Sequence, residues 1–358
     1  MTHPGLRLAV ASFLLLALAA LAPARSFTDG SANAGELEVH FLDVGQGDGA
    51  ILRTPNGKII LVDAGRKNRG PEILDYLEAM GVQEIHAIAP SHSHIDHYEG
   101  FVPILESPLP VSEVWLTGQA GSPTWTNEFL PELMVRGLMP EYLVAGDERL
   151  VDGVRVQVFN PPNPLHTNNS EYNNSHVLRF SYGQFSILFT GDLHQWGEAQ
   201  LLQRGHNPRS TVLKISEHGS NHGSSESFLE AVAPRYALIG AGFDNQFDHP
   251  KPEVLARLDA VDAEPFVTKD HGTIVLRTNG ANLKIWRTKL SSNSYVDTPL
   301  VGVPSPTPFV DKDCPDFSTW QEAQAFFLAN GGPSKDPHRL DNDRNGLACE
   351  TLPGGPNS

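Results

Sequence analysis

The chain has 358 residues, 40% of them apolar and 19% charged, which is ordinary for a globular protein and leaves room for more than one domain. Its formal net charge of −16 argues against holding a long polyanion through charge spread over the whole surface. Any contact with nucleic acid would therefore have to be local, whereas the binding of cations is favoured.

The first residues are typical of a secretory signal peptide. Arg7 supplies a positive charge, the run from Leu8 to Ala22 is almost wholly apolar, and Ala22-Pro23-Ala24 has the small residues of a cleavage site. A membrane anchor is the alternative, but a span needs about 20 apolar residues. We therefore predict a signal peptide over 1–24, a secreted or cell-surface location, and no membrane span after cleavage.

Hydrophobic periodicity predicts the elements that follow. Up to the middle of the chain it indicates strands in ELEVHFLDV, AILRT, KIILVDAG, EIHAIAP and VRVQVFNPP, and a helix in PEILDYLEAMG. Beyond that it indicates a hairpin in HVLRFSYGQFSILFTGD, strands in TVLKISEHGS, PRYALIGAG, TIVLRT and LKIWRT, and helices in QWGEAQLLQRG and PEVLARLDAV. Two β-rich halves with interspersed helices predict an α/β fold, an αββα sandwich over 36–288.

The composition then changes to Ser, Thr and Pro. This predicts a linker over 289–310, extended rather than packed, before a small second unit over 311–352. Cys314 and Cys349 both belong to that unit, and in an oxidising compartment such a pair indicates a disulfide. Two buried thiols are the alternative.

A histidine-rich loop comes straight after the predicted strand EIHAIAP. It contains His92, His94, Asp96 and His97 within six positions. Imidazole and carboxylate are the usual ligands of zinc, manganese and iron, and such a loop can serve two metal sites. Further candidate ligands follow later strands, namely Asp192, His218 and His249. Solvated or helix-capping histidines would not explain this repetition.

These motifs resemble the metallo-β-lactamase superfamily. More closely, FLDVGQGDGAIL, NNSHVLRF, LFTGD, LKISEHGS, FDNQFDHPKPEVLARL and TKDHGTI resemble the extracellular hydrolase domain of ComEC-type competence DNA-uptake proteins. The resemblance runs in order from about Glu36 to Arg287. One departure is Glu217, which stands where those domains usually have a histidine.

The resemblance implies two divalent transition metals, Zn or Mn, and a role for each motif residue. His92 and His94 would bind the first metal, Asp96, His97 and His218 the second, and Asp192 would bridge the two. Asp63 would orient the histidine loop by hydrogen bonding. His249 would contact the substrate phosphate or act as a ligand, and His176 would be a third ligand of the first metal or a core residue.

Two further segments leave alternatives open. In LDVGQGDG, the residues Asp43, Gln46 and Asp48 either line the site or belong to a tight turn. Lys214 lies two and four residues before Ser216 and His218, so that an extended strand would turn all three to one face. Lys214 would then contact a phosphate oxygen or, alternatively, be solvated.

The C-terminal unit resembles the Excalibur domain, a small extracellular calcium-binding module. Oxygen-bearing side chains recur at Asp341, Asp343 and Asn345, Gly346 permits a sharp turn, and Glu350 is the closing carboxylate. A solvated acidic turn is the alternative. The resemblance implies bound calcium and allows cell-surface association through this unit.

The leading hypothesis is an exported, metal-dependent phosphodiesterase, a nuclease that hydrolyses DNA. A hydroxide activated by two metals would attack the phosphodiester, oriented by Asp96 or Asp192. A secreted hydrolase of a small molecule (a lactone, a β-lactam or a cyclic nucleotide) is the second hypothesis, because fold does not fix substrate. A calcium-dependent surface-binding protein with a vestigial metal site is the non-enzymatic alternative.

Overall fold

The computed structural model describes residues 35–243, 245–288, 298–304, 314–329, 332, 340–341 and 345–356. The predicted signal peptide and Asp343 lie outside these residues. Among the helices that the structure does describe, none combines the length and the apolar character needed to cross a bilayer.

The described strands form two sheets. The first has the order β16-β15-β14-β1-β2-β3-β4-β5-β6 and consists of β1 (Leu37–Phe41), β2 (Gly49–Arg53), β3 (Ile59–Ala64), β4 (Ile85–Ala89), β5 (Val111–Leu116), β6 (Glu141–Tyr142), β14 (Thr273–Thr278), β15 (Asn282–Thr288) and β16 (Thr298–Pro304). The second has the order β13-β12-β11-β10-β9-β8-β7 and consists of β7 (Glu148–Val151), β8 (Val154–Asn160), β9 (Val177–Tyr182), β10 (Phe185–Phe189), β11 (Val212–Lys214), β12 (Tyr236–Ile239) and β13 (Glu264–Val267).

Each sheet is antiparallel in one half and parallel in the other. Strands β3 to β6 are parallel neighbours in the first sheet, and β10 to β13 are parallel neighbours in the second. Parallel strands end at the same edge of a sheet, where α/β folds place their ligand sites. The loops that leave β4, β10, β11 and β12 carry the predicted metal and substrate residues.

Helices cover the outer faces of both sheets. The described helices are α1 (Gly70–Ala79), α2 (Ile95–Tyr98), α3 (Phe101–Glu106), α4 (Leu130–Val135), α5 (Ser170–Asn173), α6 (Gln195–Gln203), α7 (Glu226–Val232), α8 (Pro252–Ala260), α9 (Thr268–His271) and α10 (Trp320–Ala329). One apolar cluster joins the two sheets, a second packs β2 to β5 against α1, α3 and α4, and a third packs β10 to β12 against α6, α7 and α8. The predicted αββα layers are confirmed.

Strand β3 shows how the sequence produces these layers. Ile60 and Val62 point into the cluster between the sheets, whereas Ile59 and Leu61 point into the cluster under the helices. A strand buried on both faces needs an unbroken apolar run, and IILV supplies one. The predicted helices over PEILDYLEAMG, QWGEAQLLQRG and PEVLARLDAV correspond to α1, α6 and α8.

The predicted linker needs one correction. Within 289–310, the segment Thr298–Pro304 is extended as expected, but it pairs antiparallel with β15 as the edge strand β16. Proline is tolerated at a sheet edge because its missing N–H leaves no ladder bond broken on the open side. A Ser/Thr/Pro composition therefore did not exclude a strand at this position.

The C-terminal unit is held by its own small core and a disulfide. Ala323 and Phe327 on α10 pack with Leu340 and Ala348. Cys314 and Cys349 form the predicted disulfide, 35 residues apart in sequence. A unit with so few buried side chains depends on such a cross-link for stability.

Candidate metal centre

The histidine loop reaches the site directly from the end of β4. After Ala89 the chain turns inward, and α2 begins at Ile95, so that His92 and His97 are almost fully buried while His94 stays partly open. Gly47 in the LDVGQGDG loop lies against the Asp96 carbonyl, and a Cβ there would come within 2.5 Å of that oxygen. This close approach brings Asp48 to the histidine loop.

Three imidazoles converge on one oxygen of Asp192. The Oδ2 atom lies 3.2 Å from His97 Nε2, 3.6 Å from His92 Nε2 and 3.7 Å from His218 Nε2. The four side chains come from the loops after β4, β10 and β11, and all are buried. A carboxylate at the meeting point of histidines from different loops has the position of a bridging metal ligand.

The donor atoms fall into two overlapping groups, each with its members within 4.8 Å of one another. His92, His94 and Asp192 form one group, and Asp48, His97, Asp192 and His218 form the other. Asp96 lies beside the second group, with Oδ2 3.5 Å from His218 Nε2. The structure thus brings together His92, His94, Asp96, His97, Asp192 and His218, and it adds Asp48, which the sequence had placed only at the lining of the site.

Several buried polar atoms in this centre lack a hydrogen-bond partner. They include His97 Nε2, both ring nitrogens of His218, and Asp48 Oδ1. Buried polar atoms are almost always paired, so such a concentration needs an explanation. Imidazole nitrogens and carboxylate oxygens aimed at common points are the donor set of divalent transition metals, and the residues therefore fit such ions.

The electrostatics of the site favour cations. Burial would lower the pKa of His218, but the carboxylates of Asp192 and Asp48 raise it to about 10. Burial would raise the pKa of Asp96, but its contact with the His218 imidazole, 3.5 Å away, and the charge of His97 hold that pKa well below its usual range. The negative charges that stabilise a protonated imidazole equally favour a divalent cation in place of that proton.

Asp63 orients the centre from behind. Its Oδ2 accepts a hydrogen bond from His97 Nδ1 at 2.9 Å, and its Oδ1 accepts one from Ser91 N at 2.6 Å. With Nδ1 occupied in this way, His97 presents Nε2 to Asp192. Asp63 adopts a left-handed backbone conformation, φ 57°, that aspartate and asparagine tolerate better than most residues.

The prediction that Lys214 contacts substrate is not supported. Its Nζ is buried, donates to Gly191 O at 2.7 Å, and forms an ion pair with Asp48. Asp192 lies 3.6 Å away and, with Asp48, raises the pKa of Lys214 although burial would lower it. The period-two argument placed Lys214 on the correct face, but the residue lies beneath the carboxylates instead of in the cleft.

The prediction that His176 is a third ligand is also not supported. Its ring is buried, with Nδ1 3.2 Å from the Pro90 carbonyl oxygen. It belongs to neither donor group. Burial lowers its pKa to about 4, as expected for a neutral core histidine. The residue stands immediately before β9, and its backbone N donates to Ser91 O at 2.8 Å, so its role is to pack the histidine loop onto β9.

At the rim, His249 lies outside both donor groups. Its ring is stacked 5.5 Å from Phe247 and 6.5 Å from His218, and Gln46 Nε2 approaches its Nδ1 at 3.5 Å. Asp43 belongs to the turn, since its Oδ1 accepts from Gly45 N at 3.3 Å. Burial raises the pKa of Asp43, and it contacts no metal donor group.

Sequence reasoning missed the residues that flank His94. Glu171 Oε2 lies 3.3 Å from His94 Nε2, and the Tyr172 ring is 4.7 Å from the His94 ring. Both residues belong to the Asn-rich segment around α5. Nothing in its composition indicates that it folds back over the histidine loop.

The C-terminal turn has the beginning of a calcium loop. Asp341 Oδ1 accepts from Asn345 N at 3.1 Å, and Oδ2 accepts from Gly346 N at 2.7 Å. Asn345 Nδ2 donates to Glu350 Oε2 at 3.1 Å, so these oxygen-bearing side chains face one another. Gly346 has φ 88°, which fits the glycine of such a loop.

Comparison with known proteins defines the class. Residues 42–242, more than half of the chain, match the metallo-beta-lactamase superfamily, and the protein belongs to that superfamily. Residues 311–350 match the Excalibur calcium-binding domain. The superfamily membership indicates a hydrolase that depends on divalent metals. The Excalibur match implies calcium binding in the C-terminal domain.

The relatives are more specific. The chain is 28% identical to ComE operon protein 3 of Bacillus subtilis over 261 residues, which is 68% of this chain and 33% of that protein. It is 32% identical to competence protein ComA of Neisseria gonorrhoeae over 246 residues, 68% of this chain and 31% of that one. The chain therefore spans about a third of the length of these curated relatives, and the predicted resemblance is confirmed. A solved metallo-beta-lactamase fold protein, YhfI of Bacillus subtilis, aligns with a TM-score of 0.47 at 10% identity, covering 68% of this chain and 100% of that one.

Proposed function

We propose that this protein is an exported, metal-dependent phosphodiesterase that cleaves DNA. The observation that carries the proposal is the convergence of His92, His97 and His218 on Asp192 Oδ2, in a domain whose relatives include competence proteins. Such a centre has the ligands for two divalent ions, and a phosphodiester is a substrate whose attacking and leaving oxygens two ions can stabilise together.

We assign His92, His94 and Asp192 to one metal, and His97, His218, Asp192 and Asp96 to the other. Bound there, the two metals would supply Lewis-acid activation of water and of the phosphoryl group. Asp63 fixes the ring of His97, and the Lys214–Asp48 pair holds the carboxylates in place from below. Zinc and manganese are both compatible with this donor set.

Asp96 is the carboxylate best placed to act on water. Its side chain is 20% exposed, against 4% for Asp192 and 3% for Asp48. Its lowered pKa keeps it ionised at neutral pH, so it can accept a hydrogen bond from the attacking water and orient it. Asp192 and Asp48, which are almost sealed from solvent, hold the centre together instead.

The rim near His249 supports a phosphate-bearing substrate. Burial and the neighbouring charge of His218 lower the pKa of His249 to about 4, so it is neutral and can donate one hydrogen bond to a phosphate oxygen. Lys269 Nζ donates to the His249 carbonyl at 2.9 Å, and Lys251 lies two residues further along the chain. These lysines supply positive charge beside His249, although the net charge of the chain is −16.

Two exposed aromatic side chains favour a nucleic acid over a small molecule. Phe243 is 83% exposed and Phe247 is 46% exposed, and both belong to the loop that carries His249. Gly242 N donates to Gln46 Oε1 at 3.2 Å, which fixes this loop beside the centre. Exposed aromatic rings beside a phosphate contact are the arrangement on which single-stranded bases stack.

We further propose that the protein works outside the cell or at its surface. The apolar run before residue 24, the disulfide and the calcium-binding domain are all typical of exported proteins. Association with the cell surface would then run through the C-terminal domain. The proposed bound calcium would come from the extracellular medium, where weak sites are filled.

The test is incubation of the full-length mature protein with linear single- and double-stranded DNA, with added manganese or zinc. We expect cleavage by the wild type and by Asp75→Ala, a control at an exposed position on α1, and none by Asp96→Ala/His97→Ala. Product lengths would distinguish endonuclease from exonuclease action. Lack of cleavage with metals bound would contradict the proposal, and turnover of a lactone, β-lactam or cyclic nucleotide would then identify a small-molecule hydrolase.

A further inference from the structure

A second cluster of metal-ligating side chains lies beside the buried centre. His194, Glu217 and His222 each place one donor atom within 4.8 Å of the other two. Glu217 Oε2 is 3.2 Å from His194 Nε2 and 3.1 Å from His222 Nδ1. We call these three residues the rim cluster, because the side chain of His222 is 69% exposed whereas those of the other two are each 15% exposed.

Two consecutive residues, Glu217 and His218, belong to different donor groups: the first to the rim cluster and the second to the buried centre. Glu217 and His218 both adopt left-handed conformations, with φ 46° and 57°, which are unfavourable for residues other than glycine. Glu217 thereby joins the rim cluster while its neighbour His218 joins Asp192 and His97. Gln195 N donates to His222 O at 2.7 Å and so ties the segments of the two histidines together.

Two of the three distances between donor atoms in the rim cluster are compatible with a coordination sphere. Ligand atoms placed 2.0–2.1 Å from zinc at tetrahedral angles lie about 3.3 Å apart. The observed 3.2 Å and 3.1 Å are close to that edge length. A simple hydrogen-bonded pair would satisfy His194 Nε2, yet this buried atom has no aligned hydrogen-bond partner. Two imidazoles and one glutamate are a known zinc donor set.

We propose that the rim cluster binds a third divalent transition metal through His194 Nε2, Glu217 Oε2 and His222 Nδ1, with its remaining coordination open to solvent. Asn169 and Tyr172 orient His194 from the other side. Asn169 Nδ2 lies 2.9 Å from His194 Nδ1, and the Tyr172 ring stacks on the imidazole at 4.1 Å. The oxygen and nitrogen of an asparagine amide are nearly the same size, and a half-turn of this amide presents Oδ1 to the Nδ1 hydrogen, which leaves the Nε2 lone pair for the metal.

The test counts metals in the full-length protein and does not depend on the substrate. The protein is stripped with a chelator, reloaded at a buffered free zinc concentration and analysed by mass spectrometry of the elements, which counts calcium separately. We expect three zinc ions per chain in the wild type and two in His222→Ala. His86→Ala is the matched control, since His86 also faces a glutamate, Glu113 at 3.6 Å, but belongs to no three-ligand group among the described residues. It should retain three.

Repeating the metal count in a variant with an impaired buried centre distinguishes the proposed metal of the rim cluster from the two proposed metals of that centre. The double variant Asp96→Ala/His97→Ala keeps all three rim ligands. The triple variant, which adds His222→Ala, should therefore bind one zinc ion fewer than the double variant. Two zinc ions in the wild type, or the same count with and without His222→Ala in either background, would overturn the proposal. Because the side chain of His222 is exposed, His222→Ala should leave the fold intact, and circular dichroism of each variant checks this.

Discussion

The Asp63 carboxylate holds the Nδ1 edge of His97 at 2.9 Å, and the opposite Nε2 edge of the same ring lies 3.2 Å from Asp192. One buried histidine is thus fixed between a carboxylate that orients it and a carboxylate with which it would share a metal ion under the proposed assignment. Because the orientation of a ligand ring is set by the hydrogen bond on its far nitrogen, Asp63 should control metal affinity without contacting the metal.

We predict that Asp63→Asn weakens metal binding at the buried centre about 10- to 100-fold. The amide donates to His97 Nδ1 instead of accepting from it, which moves the ring hydrogen to the nitrogen that should bind metal. Competition with a chromophoric chelator measures the affinity. Asp152→Asn is the control, because Asp152 has the same left-handed backbone, φ 51°, and belongs to no metal donor group. Equal affinity in the two variants would show that Asp63 does not orient the centre.

Lys214 should stabilise the fold and have no direct part in substrate binding. Lys214→Met leaves Asp48 buried without its cation, and breaking such a pair typically costs about 3–5 kcal/mol. Urea unfolding of metal-free protein measures the loss. The double variant Lys214→Met/Asp48→Asn removes both charges and should recover part of it. If Lys214→Met unfolded like the wild type but bound DNA weakly, the result would support the sequence-based prediction that Lys214 contacts a substrate phosphate.

Glu198 should make stability depend on pH. Its carboxylate is buried and accepts from Ser224 N and Ser225 N, and burial raises its pKa to about 7 from 4.5. The folded state therefore binds more protons than the unfolded state between these values, so this contribution is complete below about pH 4.5 and is lost as pH rises through 7. It amounts to up to about 3 kcal/mol.

Comparison of wild type and Glu198→Gln isolates this effect, because the glutamine cannot titrate. We expect the difference in unfolding free energy, wild type minus variant, to fall as the pH rises from 4.5 to 7.5. Urea denaturation at several pH values measures it. A difference that stays constant or grows over this range would show that Glu198 is ionised throughout.

Calcium should bind at the C-terminal turn independently of the hydrolase centre. Asp341→Asn should weaken calcium binding at least tenfold, since a charged ligand at the start of the loop is lost. Isothermal titration measures the affinity, and the transition-metal count should not change. Asp316→Asn, at an exposed aspartate in the same unit, is the control. Calcium affinity unaffected by Asp341→Asn would place the ion elsewhere.

The sequence predicted the site better where one motif supplies several ligands than where a ligand stands alone. HSHIDH and TGD follow buried strands, β4 in one sheet and β10 in the other, and the loops after these strands meet at the site. For Lys214 and His176, the sequence indicated a position on a strand near the site. It did not indicate how far each side chain reaches toward the cleft. Whether a side chain reaches the cleft or stops beneath it depends on neighbouring loops, here those of Asp48 and Pro90.

Elements without a strong period were also missed. Strands β5, β6 and β13, and the short helices α2 and α5, are fixed by their neighbours in the sheets and by the site loops. Strand β16 was predicted as linker because its prolines are typical of extended, unpaired chain. The rim cluster has no local signature, because His194 and His222 are separated by 28 positions and meet only when α6 packs beside the turn after β11.

The most direct test of a two-metal nuclease centre is the rate of linear DNA cleavage by metal-free protein titrated with manganese, with Asp192→Ala measured in parallel. Asp192 is the one carboxylate shared by both donor groups, so its loss should disable both metals. We predict no cleavage without metal, a rate that rises to a plateau as manganese is added, and no cleavage by Asp192→Ala at any concentration. Cleavage that persists after complete metal removal, or that survives in Asp192→Ala, would contradict a two-metal centre built on Asp192.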